Sequence, residues 1–401
     1  MQSLAGDQVA RVALSVLVFD RTGSGLWTAA TYALTFLPAL VGGLLLGGLA
    51  DRYSRRTVLV VCDVLRAGLL ALMAVPAAPL GLVAALLTVA TLVGAPFKSA
   101  EPALLADIFT GELYSTAVGL RAATQQAAQL VGFGVGGVIV AGVGARGALV
   151  LDAATFAISA ALLQVGLAQR PPARLNAPTG RVDGLLAGIR LVSSDRRLVL
   201  LLGFACLTGL WVIPEGLAAP YATATGGGAA AVGVLLAANP AGNVLGAAVF
   251  ARWLPARQQA RALGPLAVLT GVPLMACVWR PGLAVTIALW AASGVCTAYL
   301  VRVSAEYVLT VPAERRGQGV GVLTAGLLAA QGLGLLVGGL LTRVVSIYGV
   351  VALAGLAGSV LAGGLVRGRA RLVPGPVDVD VATSSAAAGT AEARPDVDGA
   401  A

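Results

Sequence analysis

Six charged residues and one tryptophan stand where charge is hard to hold. Asp7, Arg11, Asp63, Arg66, Asp152 and Glu215 lie inside otherwise apolar segments, and Trp211 precedes Glu215 by one helical turn. An ionisable group at the centre of a bilayer costs about 2.5–3.5 kcal/mol on insertion scales, so such residues mark an ion or substrate path or a structural pair. Asp7 and Arg11 are four apart with the acid first, the order that favours pairing along one helix face. Asp63 and Arg66, three apart, read as a structural ion pair of the same kind. Asp152, in Leu151-Asp152-Ala153-Ala154-Thr155-Phe156, reads as an acid near a helix start at the membrane interface. Glu215 with Trp211 could attract a cationic group that tolerates an aromatic face. The chain has no histidine, so proton chemistry would fall to carboxylates. Cys62, Cys206, Cys277 and Cys296 sit in apolar segments without metal-ligand spacing and read as small buried hydrophobes. No metal, cofactor or catalytic residue is expected.

These residues need a scaffold that can hold them in lipid. Of 401 residues, 58% are hydrophobic and 11% charged, against about 25% charged in an ordinary soluble domain. The mean hydropathy is +0.89. Apolar runs recur along the chain, each long enough to cross a ~30 Å hydrocarbon core. They lack the alternation of a barrel strand, so the fold class is an all-α membrane protein. Twelve spans are expected: Leu4–Phe19, Trp27–Ala50, Thr57–Pro76, Leu80–Phe97, Ala122–Val143, Ala148–Ala168, Leu198–Ala219, Ala229–Ala251, Leu263–Trp279, Leu283–Val301, Val320–Leu341 and Val350–Val366. The first is short, and its true start is expected upstream.

Twelve spans divide into an N-terminal six-helix half (residues 1–168), a linker (169–197), a C-terminal six-helix half (198–366) and a disordered tail (367–401). Within the linker, Val182–Val192 is expected as a short amphipathic helix at the interface. Twenty basic residues, Lys98 among them, fall on one side of this arrangement; Arg21, Arg146, Arg280 and Arg343 fall on the other. That bias places both termini and the linker in the cytoplasm, and it explains the net charge of +9 without nucleic acid. A shift of 202 residues lays Ala127–Gly137 on Ala329–Gly339 with seven of eleven positions identical. The fifth and eleventh spans thus read as copies, as parallel halves related by an axis along the membrane normal require.

The loop after the second span reads Gly47-Gly48-Leu49-Ala50-Asp51-Arg52-Tyr53-Ser54-Arg55-Arg56. It resembles the major facilitator superfamily signature G-x-x-x-D-R-x-G-R-R. Gly47, Asp51, Arg52, Arg55 and Arg56 match, and Ser54 replaces the second glycine. The resemblance covers about residues 1–366 and implies a secondary transporter in which this cluster latches the halves in the outward-open state. It also implies that the first and seventh helices line a central cavity. There Asp7 would bind a proton or substrate beside Arg11, and Glu215 and Trp211 would meet substrate. Gly132, Gly134, Gly136 and Gly137 are similar to the exporter motif G-x-x-x-G-P-x-x-G-G without its proline; they read as a hinge, or as plain close packing. The fourth span lacks the arginine of the l-x-x-R-x-x-q-G motif found in many proton-driven drug exporters.

The expectation is therefore a multi-pass antiporter of the bacterial inner (plasma) membrane, working as a monomer among membrane lipids. It would export a lipophilic small molecule against protons by alternating access, and it looks most like the branch that includes macrolide-efflux and siderophore-export proteins. An importer of a small metabolite is the nearer alternative. An integral-membrane enzyme acting on lipids, or a sensor, is the alternative of another class; the chain shows no clustered catalytic residues for the former.

Overall fold

The computed structural model describes residues 2–109, 112–168, 181–253 and 255–371. Among the described residues the secondary structure is helical, with no strand. The helices are α1 (Gln2–Thr22), α2 (Gly25–Leu45), α3 (Arg55–Met73), α4 (Leu80–Ile108), α5 (112–143), α6 (145–166) and α7 (Arg181–Ser194). After α7 come α8 (Arg196–Gly216), α9 (Ala229–Trp253), α10 (Arg257–Trp279), α11 (Leu283–Thr310), α12 (Arg316–Leu341) and α13 (Ile347–Ala370). Nine stretches of the described residues are long and apolar enough to cross a membrane. One of them, Thr116–Gly166, contains both α5 and α6. No loop divides these two; Gly144 alone turns the backbone, with φ 75° and ψ 167°, a conformation that glycine adopts without steric cost. Outside the nine are α1, with Asp7, Arg11, Asp20 and Arg21, and α3, with Arg55, Arg56, Asp63 and Arg66. Large apolar side chains such as Leu45, Val165 and Leu245 are exposed on the outer faces, as a lipid-facing surface allows.

Several helices outrun the spans read from hydropathy. The fourth continues past Phe97 to Ile108, the tenth past Val301 to Thr310, and the ninth starts near Arg257 rather than Leu263. Hydropathy marks where lipid ends, whereas the i→i−4 bonds continue into polar sequence. The last helix likewise runs past Val366 through Ala370, so the tail expected from residue 367 is helical at its start; residues 372–401 lie outside those described. The second and seventh spans are interrupted instead. Regular helix is lost at 34–36 before Pro38 and around Val212 before Pro214, because proline lacks the N–H and crowds the carbonyl four residues back. The expected linker helix is present as α7, but it does not lie alone. Gly188 packs against the Gln318 backbone and Val322 of α12.

The two glycine-rich copies occupy matching packing positions. A Cβ on Gly132 would meet Ala5 and Gln8 of α1, and one on Gly136 would meet Val9 and Val12. Shifted by 202 residues, Gly334 meets the Gly209 carbonyl and Gly338 meets Ile213, both of α8. So α5 rides on α1 as α12 rides on α8, at backbone contact in both cases. Without side chains at these points the helices approach closely enough for dispersion to hold them in lipid, where no hydrophobic force separates helix from tail.

Candidate transport site

Helices before and after α7 meet tightly at one end of the bundle. A Cβ on Gly137 would stand 2.8 Å from Gly233 Cα and 2.9 Å from the Ala229 and Ala230 carbonyl oxygens, so α5 and α9 touch backbone to backbone. A Cβ on Gly339 of α12 would stand 3.0 Å from the Ala29 Cβ and 3.3 Å from the Leu26 Cα of α2. Beyond the first contact lies a cleft of about 470 Å³ lined by Val140, Gly144, Thr223 and Asp20 among others. At the opposite end, which carries the Gly47–Arg56 segment, α2 and α12 part around a cavity of about 500 Å³. Ala39, Leu40, Leu44, Ser99, Leu185, Thr324 and Leu328 are among its lining residues. A smaller recess of about 70 Å³ lies among Asp7, Arg11, Thr35, Arg66, Thr91 and Lys98.

The charges redistribute relative to the sequence reading. Asp7 does not pair with Arg11, nor Asp63 with Arg66. Arg66 reaches across from α3 to Asp7, Nη2 to Oδ1 at 2.5 Å, with the side chains 16% and 27% exposed. Its guanidinium stacks 4.1 Å from the Phe156 ring centroid. An i,i+4 pair on one helix is worth only about 0.2–0.5 kcal/mol, so an interhelical charge-assisted bond between half-buried groups prevails over it. Arg11 instead lies over the Tyr32 and Phe36 rings, at 5.7 and 5.5 Å. Asp63 is fully buried with Ser159 beside it, but neither carboxylate oxygen meets hydrogen-bond geometry. Asp152 is packed among helices rather than exposed at a helix start. It is 1% exposed, accepts from Thr155 Oγ1 at 3.1 Å, and occupies the space that the missing Cβ of Gly6 leaves on α1.

Glu215 and Trp211 part company. The Tyr32 hydroxyl of α2 donates to Glu215 Oε2 at 3.0 Å, so Glu215 faces the seam between the two sets of helices. Trp211 is 4% exposed; its indole packs on Gly358 of α13 and its Nε1 donates to Tyr299 at 3.2 Å. The break in α8 between them turns the tryptophan into the core, so it forms no aromatic wall with Glu215.

The signature segment is compact. Gly47 is buried in the turn 46–48 and leads into a four-residue helix, Leu49–Arg52. The Asp51 side chain lies outside the described residues, and Arg52 is exposed. Arg55 donates to the Ala103 carbonyl of α4 at 2.5 Å, and Arg56 donates to the Gln164 carbonyl of α6. Both arginines thus tie the start of α3 to the ends of α4 and α6, on one side of the seam. Of the four expected hinge glycines, Gly132 and Gly136 face α1, Gly137 faces α9, and Gly134 faces open space.

Sequence reading overlooked Tyr32, Thr35 and Thr91, and it placed Lys98 in a loop. Lys98 lies within α4 and lines the small recess. The available signal was its singularity, one lysine among 26 arginines (27 basic residues in all), close after the apolar Leu92–Ala95 run.

A helical bundle that is closed by backbone contact at one end and hollow at the other, with charge held at the seam, defines a multi-pass membrane transporter. The Major Facilitator Superfamily sequence model matches residues 3–296, and the chain belongs to that family. It is 29% identical over 366 residues to the multidrug efflux pump Tap of Mycobacterium bovis (strain BCG / Pasteur 1173P2) and of Mycobacterium tuberculosis (strain ATCC 25618 / H37Rv), covering 87% of this chain and 86% of either relative. Among solved structures it is similar to a mutant of the nucleoside transporter NupG, with a TM-score of 0.72 at 15% identity over 92% of this chain and 98% of that one. A bacterial homologue of the human lysosomal transporter Spinster, inward-facing and unoccupied, gives 0.60 at 14% identity over 91% and 92%. These solved structures establish the fold, and the chain is a transporter of the major facilitator type rather than an enzyme.

Proposed function

We propose that this protein exports a lipophilic small molecule in exchange for protons. The observation that carries the reading is the asymmetry of the seam, hollow at the arginine-rich end and in backbone contact at the other. With the arginine-rich end in the cytoplasm of a bacterial cell, the cavity is loaded from inside, and the Gly137–Gly233 contact closes the exit. The relatives named as multidrug efflux pumps, at 29% identity over most of both chains, favour export over import.

In this reading residues 1–168 and 198–366 are two six-helix halves joined by the linker 169–197, with α1 and α3 crossing the membrane as well as the nine apolar stretches. The matched packing of Gly132 and Gly136 with that of Gly334 and Gly338 supports the division. Asp7 carries the proton, and the Gly47–Arg56 cluster changes partners as its end closes; the within-half bonds of Arg55 and Arg56 belong to the state seen here.

The test uses inside-out vesicles containing the protein, energised and loaded with a quenched pH dye. Adding a lipophilic drug that the protein exports releases internal protons and restores fluorescence, and Asp7→Asn abolishes that release. Release that persists in Asp7→Asn would remove Asp7 from coupling. Drug accumulation without any proton movement would refute proton exchange.

A further inference from the structure

Among the described residues Arg11 and Lys98 form no ion pair with a carboxylate. Arg66 has Asp7, and Arg121, Arg302 and Arg369 have Glu101 or Glu306. Arg11 lies over the rings of Tyr32 and Phe36, beside the Tyr32 hydroxyl that donates to Glu215. Lys98 forms no ion pair and no hydrogen bond among the described residues. Both line the 70 Å³ recess, together with Thr35 and Thr91. The one carboxylate on its wall, Asp7, is already held by Arg66. Of the neighbouring acids, Glu215 shares Tyr32 with Arg11 and acts on its charge from outside the lining, and Asp63 and Asp152 are buried outside it as well. Lys98 is exposed where α4 outruns its apolar stretch, and an anion that visits the recess would give both cations a direct partner.

The recess also adjoins the large cavity along two helices. Thr35 of the recess and Ala39 of the cavity are four residues apart on α2, and Lys98 and Ser99 are successive on α4. The cavity wall is mostly alanine, leucine and glycine. A volume of about 500 Å³ falls in the range that holds a drug-sized apolar body. The recess has room for a carboxylate, sulfonate or phosphate head.

From this juxtaposition we infer that the substrate is an organic anion, its apolar body in the 500 Å³ cavity and its anionic head between Arg11 and Lys98. Charge-assisted bonds from a guanidinium and an ammonium, with hydroxyls at the margin, are the donor set such a head needs. The inference deepens the transport reading by naming the chemistry of the cargo, and it depends on neither direction nor coupling.

Binding to purified full-length protein in zwitterionic nanodiscs tests it without transport. The probes are anilinonaphthalene sulfonate and phenylnaphthylamine, which share the aromatic framework and differ by the anionic group; empty nanodiscs give the background. The expected result is a sulfonate Kd at least about tenfold below that of the amine. Lys98→Gln and Arg11→Gln each weaken the sulfonate about tenfold or more and leave the amine within about twofold, and Lys98→Arg restores sulfonate binding. Equal affinity of the two probes overturns the inference. So does a variant series that weakens both probes alike, which would mark a purely apolar or structural role. Because this assay needs no gradient, loss of drug-driven proton release would refute the export reading and leave the anion site standing.

Discussion

Gly137→Ala will loosen the closed end of the bundle while leaving the helix itself intact. The new methyl would lie within 3 Å of Gly233 Cα and of two carbonyl oxygens, all backbone atoms that no rotamer change can move. Overpacking of this kind costs about 1–3 kcal/mol, borne only in the state where α5 touches α9. Alanine also favours helix over glycine by roughly 0.5–1 kcal/mol, but that gain applies in both states and cancels from their ratio. The closed-to-open ratio at this end should therefore fall by about 5–150-fold. A ratio of about 99:1 would drop to somewhere between about 20:1 and 2:3. Gly134→Ala is the matched control, because nothing lies within 4 Å of the Cβ it would add. Distances between nitroxides on Arg146→Cys and Thr223→Cys report the change. Thr223 and the Gly144–Ala145 corner beside Arg146 line the same 470 Å³ cleft above the contact, and Cys62, Cys206, Cys277 and Cys296 are first replaced by alanine. A longer distance population in Gly137→Ala, absent from Gly134→Ala, is the expected result. Identical distributions in the two variants would refute the claim that this glycine contact closes the exit.

Two further outcomes follow from the charge cluster and the core. Arg66→Met strips Asp7 of its partner and should cost about 3 kcal/mol, the low end of the range for breaking a buried pair, since both side chains keep some exposure. Adding Asp7→Asn should recover most of that loss in thermal unfolding, and a double variant that loses the sum of the two single losses would show that the pair is not coupled. Trp211→Phe removes the bond to Tyr299, worth about 1 kcal/mol. It should lower Tm modestly and leave drug export unchanged; reduced export at unchanged Tm would return Trp211 to the transport path.

What sequence could read here was set by periodicity, and what it missed was set by packing between helices. Composition and apolar run length were enough for an all-helical membrane protein, because the bilayer accepts few alternatives. The glycine copies at 132–137 and 334–339 were legible as a repeat, and the structure gives each a matching neighbour. Partner choice was not legible. Acid and base three or four apart on one helix looked like two self-contained pairs, Asp7 with Arg11 and Asp63 with Arg66. Yet spacing along a helix fixes only which residues share a face, not which helix that face meets. Once α1 packs against α5 and α6, Arg66 reaches Asp7 from α3, and the two leftover members meet opposite fates. Asp63 is buried beside Ser159, whereas Arg11 is turned toward the seam and its aromatic rings. The exchange of partners therefore shapes the site: a chain with two tidy intrahelical pairs would leave Arg11 bound to Asp7 instead of presenting it to the recess. Lys98 completes it for the same reason, since a helix that outruns its apolar stretch carries a residue expected in a loop into the wall of the recess.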